Sequence, residues 1–585
     1  MVGEHYSAFV EEAFIKPIRS VLIIDDDYPT FDEMLDAEIA RQEKKELTGK
    51  KEWHTDPSRI KRVIANFRTP EHPLLVDIHD GTNVAPGAEI KIASHLHQSD
   101  LLVLDYQLEK AKPGDGTLAI EIMRSLVSND HFNLVVVHTS EDLETVFQDT
   151  LISLMSPLTN RLTGEESQQA QKLLIDADDK VEFFSGRLKR CVGVGQYLHA
   201  RRFEKTFLRT MSKSQQPYSA FRTECDPMEW EGTDRKLVLR YLLEQVEESL
   251  SSHFMSKPVS RLSWDDGAIK YINADSVFIA FSAKRSEDDL LSEVLEALKA
   301  WSPQPSRLFL AKLRAEMDEY GVMAQGVALE NQHALANWYR RLLESTGASR
   351  RWLVAKSVSR HAEQLMAGIL PRVEDYANRL IESEAASGDP CDLSKEHFNI
   401  DLKNQADNLK SEHEHNAFVC SKPPEGWHLT TGHVFLIGES YWVCVSPACD
   451  TVPTQLSPFQ IAAFGERLPF MAVKLTPLIA GRTIKDVQTN RYVFLRIDGA
   501  VTAFCFNDPI SDISAPAWHM MYAEQRGVFS DGFEFKVLVT AQETDSLVQQ
   551  EHSARVISQL RYEYALNLVQ RLGGSLVRIG LDFVG

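Results

Sequence analysis

The sequence predicts an α/β protein whose N-terminal part is a doubly wound parallel sheet, and three apolar runs predict it. Leu101-Leu-Val-Leu104 is apolar without a break and ends in Asp105. Ser20-Val-Leu-Ile-Ile24 ends in Asp25-Asp-Asp27, and Leu134-Val-Val-Val137 ends in His138-Thr-Ser140. Short unbroken apolar runs mark strands buried on both faces, as in a parallel sheet covered by helices. The carboxyl ends of such strands are where α/β sheets place their chemistry.

Carboxylates gathered at one sheet edge repel one another, and a hard divalent cation with oxygen ligands, Mg²⁺ above all, holds them together. An acid, a cation and a nearby hydroxyl equip the edge for phosphoryl transfer to Asp105. This order of acidic cluster, lone Asp and Thr/Ser resembles the receiver domain of bacterial two-component response regulators. The loop Gly114-Asp-Gly116 and the helix start after it add to the likeness. The resemblance covers about the first 150 residues and extends to 275–300. It implies a flavodoxin-like fold with strand order 2-1-3-4-5, with Asp105 as phosphoacceptor and Thr139 as the switch hydroxyl. It further implies that Asp25, Asp26, Asp105 and the backbone carbonyl of Gln107 bind Mg²⁺. The partner it implies is a histidine kinase or phosphotransfer protein.

Taken in order, residues 4–16 predict a helix from Tyr6, Phe9, Val10 and Phe14. Phe31 to Ala40 predicts the first helix after the leading strand, with acids in its opening turns suiting the helix dipole. A charged insertion with a helical pattern at Arg59 to Phe67 follows. Leu74 to His79 reads as the second strand, Ala88 to His97 as the second helix and Gly116 to Val127 as the third. Glu141 to Met155 reads as the fourth helix. The fifth strand and its Lys do not arrive there. Residues 156–270 are mostly helical, with a short strand at Lys180 to Phe184, and they read as an insertion. Asp275 to Lys284 then supplies a β-rich run ending in Lys, and a helix capped at Ser286 follows, so 271–300 reads as the receiver's last strand and helix. Lys284 would be the ammonium partner of the acceptor, although Arg285 stands where the family has Pro.

Residues 301–390 are helical in character, with Ala385 to Pro390 as a linker. Residues 391–585 predict a β-rich α+β or small-barrel domain. Two hairpins are expected there, at His433 to Val445 and at Tyr492 to Phe506, the latter around the turn signal Asp498-Gly499. A helix over Ala554 to Leu572 and a strand over Leu576 to Phe583 close it.

The chain has 585 residues, 43% hydrophobic and 25% charged, which predicts several domains with sizeable cores. A net charge of -21 argues against nucleic acid as a partner. Seven scattered cysteines and no membrane-length apolar run predict a cytoplasmic protein without disulfides. Cys444, Cys449 and the histidines at 413, 415, 428 and 433 have irregular spacing for zinc, and Cys449-Asp450 is the most site-like spot of this half.

The expectation is an atypical response regulator, a phosphoacceptor and not an enzyme, that acts through its C-terminal domain by protein interaction. A homodimer is a further candidate partner. Proteins of this build resemble parts of bacterial phosphorelay and defence systems. The alternatives are a receiver-regulated effector enzyme with a site near Cys449, and a degenerate receiver serving as a scaffold.

Overall fold

The computed structural model describes residues 4–43, 57–69, 73–79, 99–109, 112, 114–128, 132–158, 160–255, 259, 261–274, 276–284, 289–478, 491–507 and 515–577. The chain divides into two units, Met1–Ala315 and Glu316–Gly585.

The first unit is built on seven strands: β1 Ser20–Ile24, β2 Leu75–His79, β3 Leu101–Leu104, β4 Asn133–Thr139, β5 Leu262–Asp265, β6 Tyr271–Ala274 and β7 Val277–Ala283. Their order is β2-β1-β3-β4-β7-β6-β5. The first five in that order are parallel, and β6 and β5 extend the sheet antiparallel beyond β7. Counting β7 as the fifth strand reproduces the order 2-1-3-4-5. All four residues of β3 and all seven of β4 are buried, which is why their sequences are apolar without alternation.

Helices Thr117–Val127 and Leu143–Leu154 cover one face of this sheet, and their apolar residues join a core that continues into the inserted helices. The insertion runs from the helix Gly164–Asp178 to the helix Gly232–Leu250. At its centre Glu247, fully buried, accepts hydrogen bonds from the Leu158 backbone, Arg161 and Tyr197, with Arg201 also in reach. One buried carboxylate thus ties three segments together, and its charge is matched by two guanidiniums.

The strand expected at Lys180 to Phe184 is not formed. Val181 still bonds back to Ala177, Phe183 turns through a positive φ of 56°, and Phe184 opens the helix Phe184–Arg190 with its ring in the core. The helix expected at Ala88 to His97 and the cap at Ser286 lie outside the described residues. Asp289 caps the helix Leu290–Trp301 by accepting from the Ser292 amide.

In the second unit the helices Gln332–Glu344, Gly347–Ser387, Pro390–Phe398 and Gln405–Cys420 precede the barrel. The linker expected at Ala385 to Pro390 is a tight corner between two of them, with the Asp389 side chain capping the second.

The remaining strands are β8 Ser421–Lys422, β9 His433–Ile437, β10 Ser440–Cys444, β11 Leu468–Pro477, β12 Tyr492–Ile497, β13 Ala500–Cys505, β14 Trp518–Ala523, β15 Glu534–Glu543 and β16 Ser546–Leu560. They pair antiparallel in the order β10-β9-β16-β15-β14-β11, and β11 pairs back onto β10, closing a barrel. Its interior holds Phe435, Trp442, Cys444, Phe470, Met521, Phe535 and Val556. The β12–β13 hairpin turns at Asp498-Gly499, both at positive φ as the turn requires.

The long helix expected from Ala554 starts later. Ala554, Val556, Ser558 and Leu560 are buried in alternation as part of β16, and the helix begins at Tyr562. Ala-Arg-Val-Ile-Ser-Gln-Leu carries both a period of two and a helical one, and the neighbouring barrel strands select the first. Leu576 belongs to that helix, not to a strand, and residues 578–585 are outside the described set.

Candidate functional site: an acidic pocket at the carboxyl edge of the parallel sheet

Each site residue sits where a buried strand ends. Asp25 follows β1, and its amide donates to the His79 carbonyl at 3.1 Å. Asp105 follows β3, and its amide donates to the Ile24 carbonyl at 2.9 Å, so the sheet ladder itself sets the two acids side by side. Thr139 ends β4 fully buried, with its hydroxyl accepting from the Glu141 amide at 3.2 Å. Lys284 follows β7, and its amide donates to the Thr139 carbonyl at 2.8 Å.

Lys284 Nζ donates to Asp105 Oδ2 at 2.7 Å and to Asp25 Oδ2 at 2.9 Å, although 179 and 259 residues separate the pairs in sequence. Asp25 Oδ1 accepts from the Asp27 amide at 2.8 Å. Asp25, Asp26 and Asp105 each bring a carboxylate oxygen within 4.8 Å of the others. They are the one group with metal-ligand geometry among the described residues. Gln107 lies half-buried two residues beyond Asp105.

Among the described residues, Asp25 and Asp105 share the one ammonium of Lys284. Burial pushes the Asp105 carboxyl up, the Lys284 ammonium pulls it down, and the charges of Asp25 and Asp26 push it up again, to about 7. Burial alone would draw the Lys284 ammonium down, but Asp25 and Asp105 outweigh it and hold the group above its ordinary value.

Asp105 Oδ1 is buried and has no hydrogen-bond partner among the described residues. A buried carboxylate oxygen left unpaired is costly, and a divalent cation is the group that would satisfy it while neutralising the excess charge. The donor set therefore fits Mg²⁺: all oxygen, acidic and clustered.

Against this geometry, the family model of the response receiver domain matches residues 17–186. The N-terminal part of the chain is a receiver domain. No curated protein and no solved structure matches the chain. The matched residues contain Asp25, Asp26, Asp105 and Thr139 but end well before Lys284. The pairing of β7 with β4 is what brings Lys284 to Asp25 and Asp105.

Tyr106 was not singled out by the sequence. Its ring covers Gly116, where an added Cβ would stand 2.0 Å from Tyr106 Cζ, and its hydroxyl donates to Asp149 at 3.1 Å. The receiver loop after Asp105 is thereby tied to the helices Thr117–Val127 and Leu143–Leu154. The signal for it was Gly116 itself, a residue the crowded ring requires.

The C-terminal candidates do not assemble. Cys444 lies inside the barrel, fully buried, and burial pushes its thiol up to about 12. Cys449 is exposed, and its hydrogen bond to Asp450 raises the thiol further from the thiolate a nucleophile needs. His433 is held by the Thr430 amide and the Glu425 carbonyl, as a structural side chain would be. No helix among the described residues is long and apolar enough to cross a membrane.

Proposed function

We propose that the chain is an atypical response regulator in which Asp105 accepts a phosphoryl group from a phosphohistidine on a histidine kinase or phosphotransfer protein. The observation that carries this reading is the contact of Lys284 Nζ with both Asp105 and Asp25, beside an unpaired Asp105 oxygen. In the step, an Asp105 oxygen attacks phosphorus as the donor's P–N bond breaks. The imidazole leaves with the bonding pair, and the product is an acyl phosphate.

Mg²⁺ held by Asp25, Asp26, Asp105 and the Gln107 carbonyl would supply charge stabilisation for the transferring group. Lys284 holds the acceptor carboxylate in place and afterwards offers its ammonium to the phosphoryl oxygens. Thr139, at the same edge, gives the hydroxyl that can turn toward the new anion. The output acts through protein interaction. Neither thiol near Cys449 has the setting of a nucleophile, which leaves the effector-enzyme alternative without support.

Beryllium fluoride, a phosphoryl mimic, tests the site. It should bind in the presence of Mg²⁺, fail to bind with chelator, and fail to bind to Asp105→Asn. Binding that survives Asp105→Asn would remove the assignment.

A further inference from the structure

The inserted helices hold a cavity of about 250 Å³, separate from the acidic pocket. It lies among the helices Val194–Arg202, Phe207–Ser212 and Gly232–Leu250 and the segment at Leu158. Leu158, Ala200, Phe207, Leu208 and Leu243 give it apolar walls. Apolar walls with a few fixed polar groups are the usual form of a small-molecule site, and this volume is below that of sites for drug-sized ligands.

The polar group held most firmly at this cavity is Arg201, whose side chain is 14% exposed. A buried network anchors it from behind. The Tyr197 hydroxyl donates to Glu247 Oε2 at 2.8 Å and accepts from Arg201 Nη1 at 2.6 Å, and Nη1 also stands 3.5 Å from Glu247 Oε2. The guanidinium is thus fixed through Nη1 alone. Its other edge, Nε and Nη2, has no hydrogen-bond partner among the described residues and is not sealed from solvent. The N–H groups of that edge run parallel, which is the geometry that grips both oxygens of one carboxylate. A side chain already fixed in place loses little freedom when it binds.

Arg240 borders the same cavity, where its Nη2 reaches only the Asn160 carbonyl, at 3.4 Å. Glu204 and Glu244 border it as well. Two guanidiniums and two carboxylates leave the surroundings nearly even in charge, so a dianion such as phosphate gains little there. The walls call for hydrocarbon.

We propose that the inserted helices bind a small monocarboxylate with an apolar body, its carboxylate on the Nε–Nη2 edge of Arg201 and its hydrocarbon against Phe207, Leu208 and Leu243. The carboxylate can belong to a simple acid or to an apolar amino acid, and the chemistry at Arg201 is the same for both.

Isothermal titration calorimetry of the full chain with isocaproate, hydrocinnamate, leucine and phenylalanine tests this, with inorganic phosphate as a control. At least one of these acids should bind, and its amide should bind about tenfold or more weakly. A preference for leucine over isocaproate, or for phenylalanine over hydrocinnamate, identifies an amino acid as the source; the reverse identifies a simple acid. Arg201→Gln should weaken binding about tenfold or more. Because that change also disturbs Glu247, Ala200→Leu serves as a second variant: it adds volume to the wall, removes none of those hydrogen bonds, and should abolish binding with an unchanged far-UV circular dichroism spectrum. In the wild type, the bound acid should slow hydrogen exchange most within residues 194–212 and 232–250. Failure of all four acids to bind overturns the proposal. So does an amide or phosphate that binds as well as the acid, binding that either substitution leaves unchanged, or protection confined to other segments.

Discussion

At the scale of single residues, Lys284 is the group on which the pocket depends. It is nearly buried between Asp25 and Asp105, and its removal would leave two buried carboxylates with no ion-pair partner among the described residues. Lys284→Met should therefore destabilise the metal-free protein by about 3–5 kcal/mol, the usual cost of breaking a buried pair on one side. Urea unfolding with chelator present measures this, and added Mg²⁺ should restore part of the loss.

Asp105 gives the pocket a pH dependence of defined sign. Its carboxyl is pushed by burial from the ordinary 3.8 to about 7, so between those values the folded protein holds a proton that the unfolded chain has released. The contribution of this group to stability is fully present below about 3.8 and is lost as pH rises through about 7. With chelator, Asp105→Asn should flatten that part of the stability profile. Since a cation binds the ionised carboxylate, stabilisation by Mg²⁺ should be larger at the alkaline end of the window than at the acid end. Equal stabilisation at both ends would contradict the pocket as described.

At the scale of elements, the loop after Asp105 and the inserted helices are where the site meets the rest of the first unit. Gly116→Ala would drive a Cβ into the Tyr106 ring and displace it from Asp149. A loss of about 1–3 kcal/mol is expected, as for other overpacking changes. In a Tyr106→Ala background the same change should cost roughly 0.5 kcal/mol or less, because the ring it strikes is gone.

The inserted helices follow the helix Leu143–Leu154 and lead back to the sheet at β5, and their core is continuous with that of the helices Thr117–Val127 and Leu143–Leu154. Hydrogen exchange with and without the phosphoryl mimic should accordingly change most between residues 139 and 285. Changes confined to residues beyond 390 would point to a different route of coupling.

The ends of β1, β3 and β4 were legible because these strands are largely buried, so each wrote itself as an apolar run, stopped by an acid in β1 and β3 and by His138-Thr139 in β4. Lys284 was read through the resemblance, which implies a last strand ending in Lys, and Asp275 to Lys284 offers such a run. Strands β5 and β6 were not, because four residues at a sheet's antiparallel margin carry too short a pattern. The Ala554 to Leu560 segment was misread because alternation and helical spacing coincide there, and only its barrel neighbours decide between them. The inserted helices gave away their existence but not their continuity with the receiver core, which depends on side chains meeting across long separations.

At the scale of the whole molecule, a mostly parallel α/β sheet, whose residues 17–186 match the receiver-domain model, shares a chain with a closed β-barrel. The barrel interior is filled by aromatic and aliphatic side chains, and the thiol within it is packing rather than chemistry. The cluster with chemical potential is the acidic pocket, and the account stands or falls on the acceptor there. The most direct measurement is of phosphate on the protein recovered from its native host, by lability and by site. An acyl phosphate on Asp105 predicts hydroxylamine-labile label, mapped to the peptide that contains Asp105 and absent from Asp105→Asn. Acid-stable phosphate alone, or labile phosphate that persists in Asp105→Asn, would contradict it.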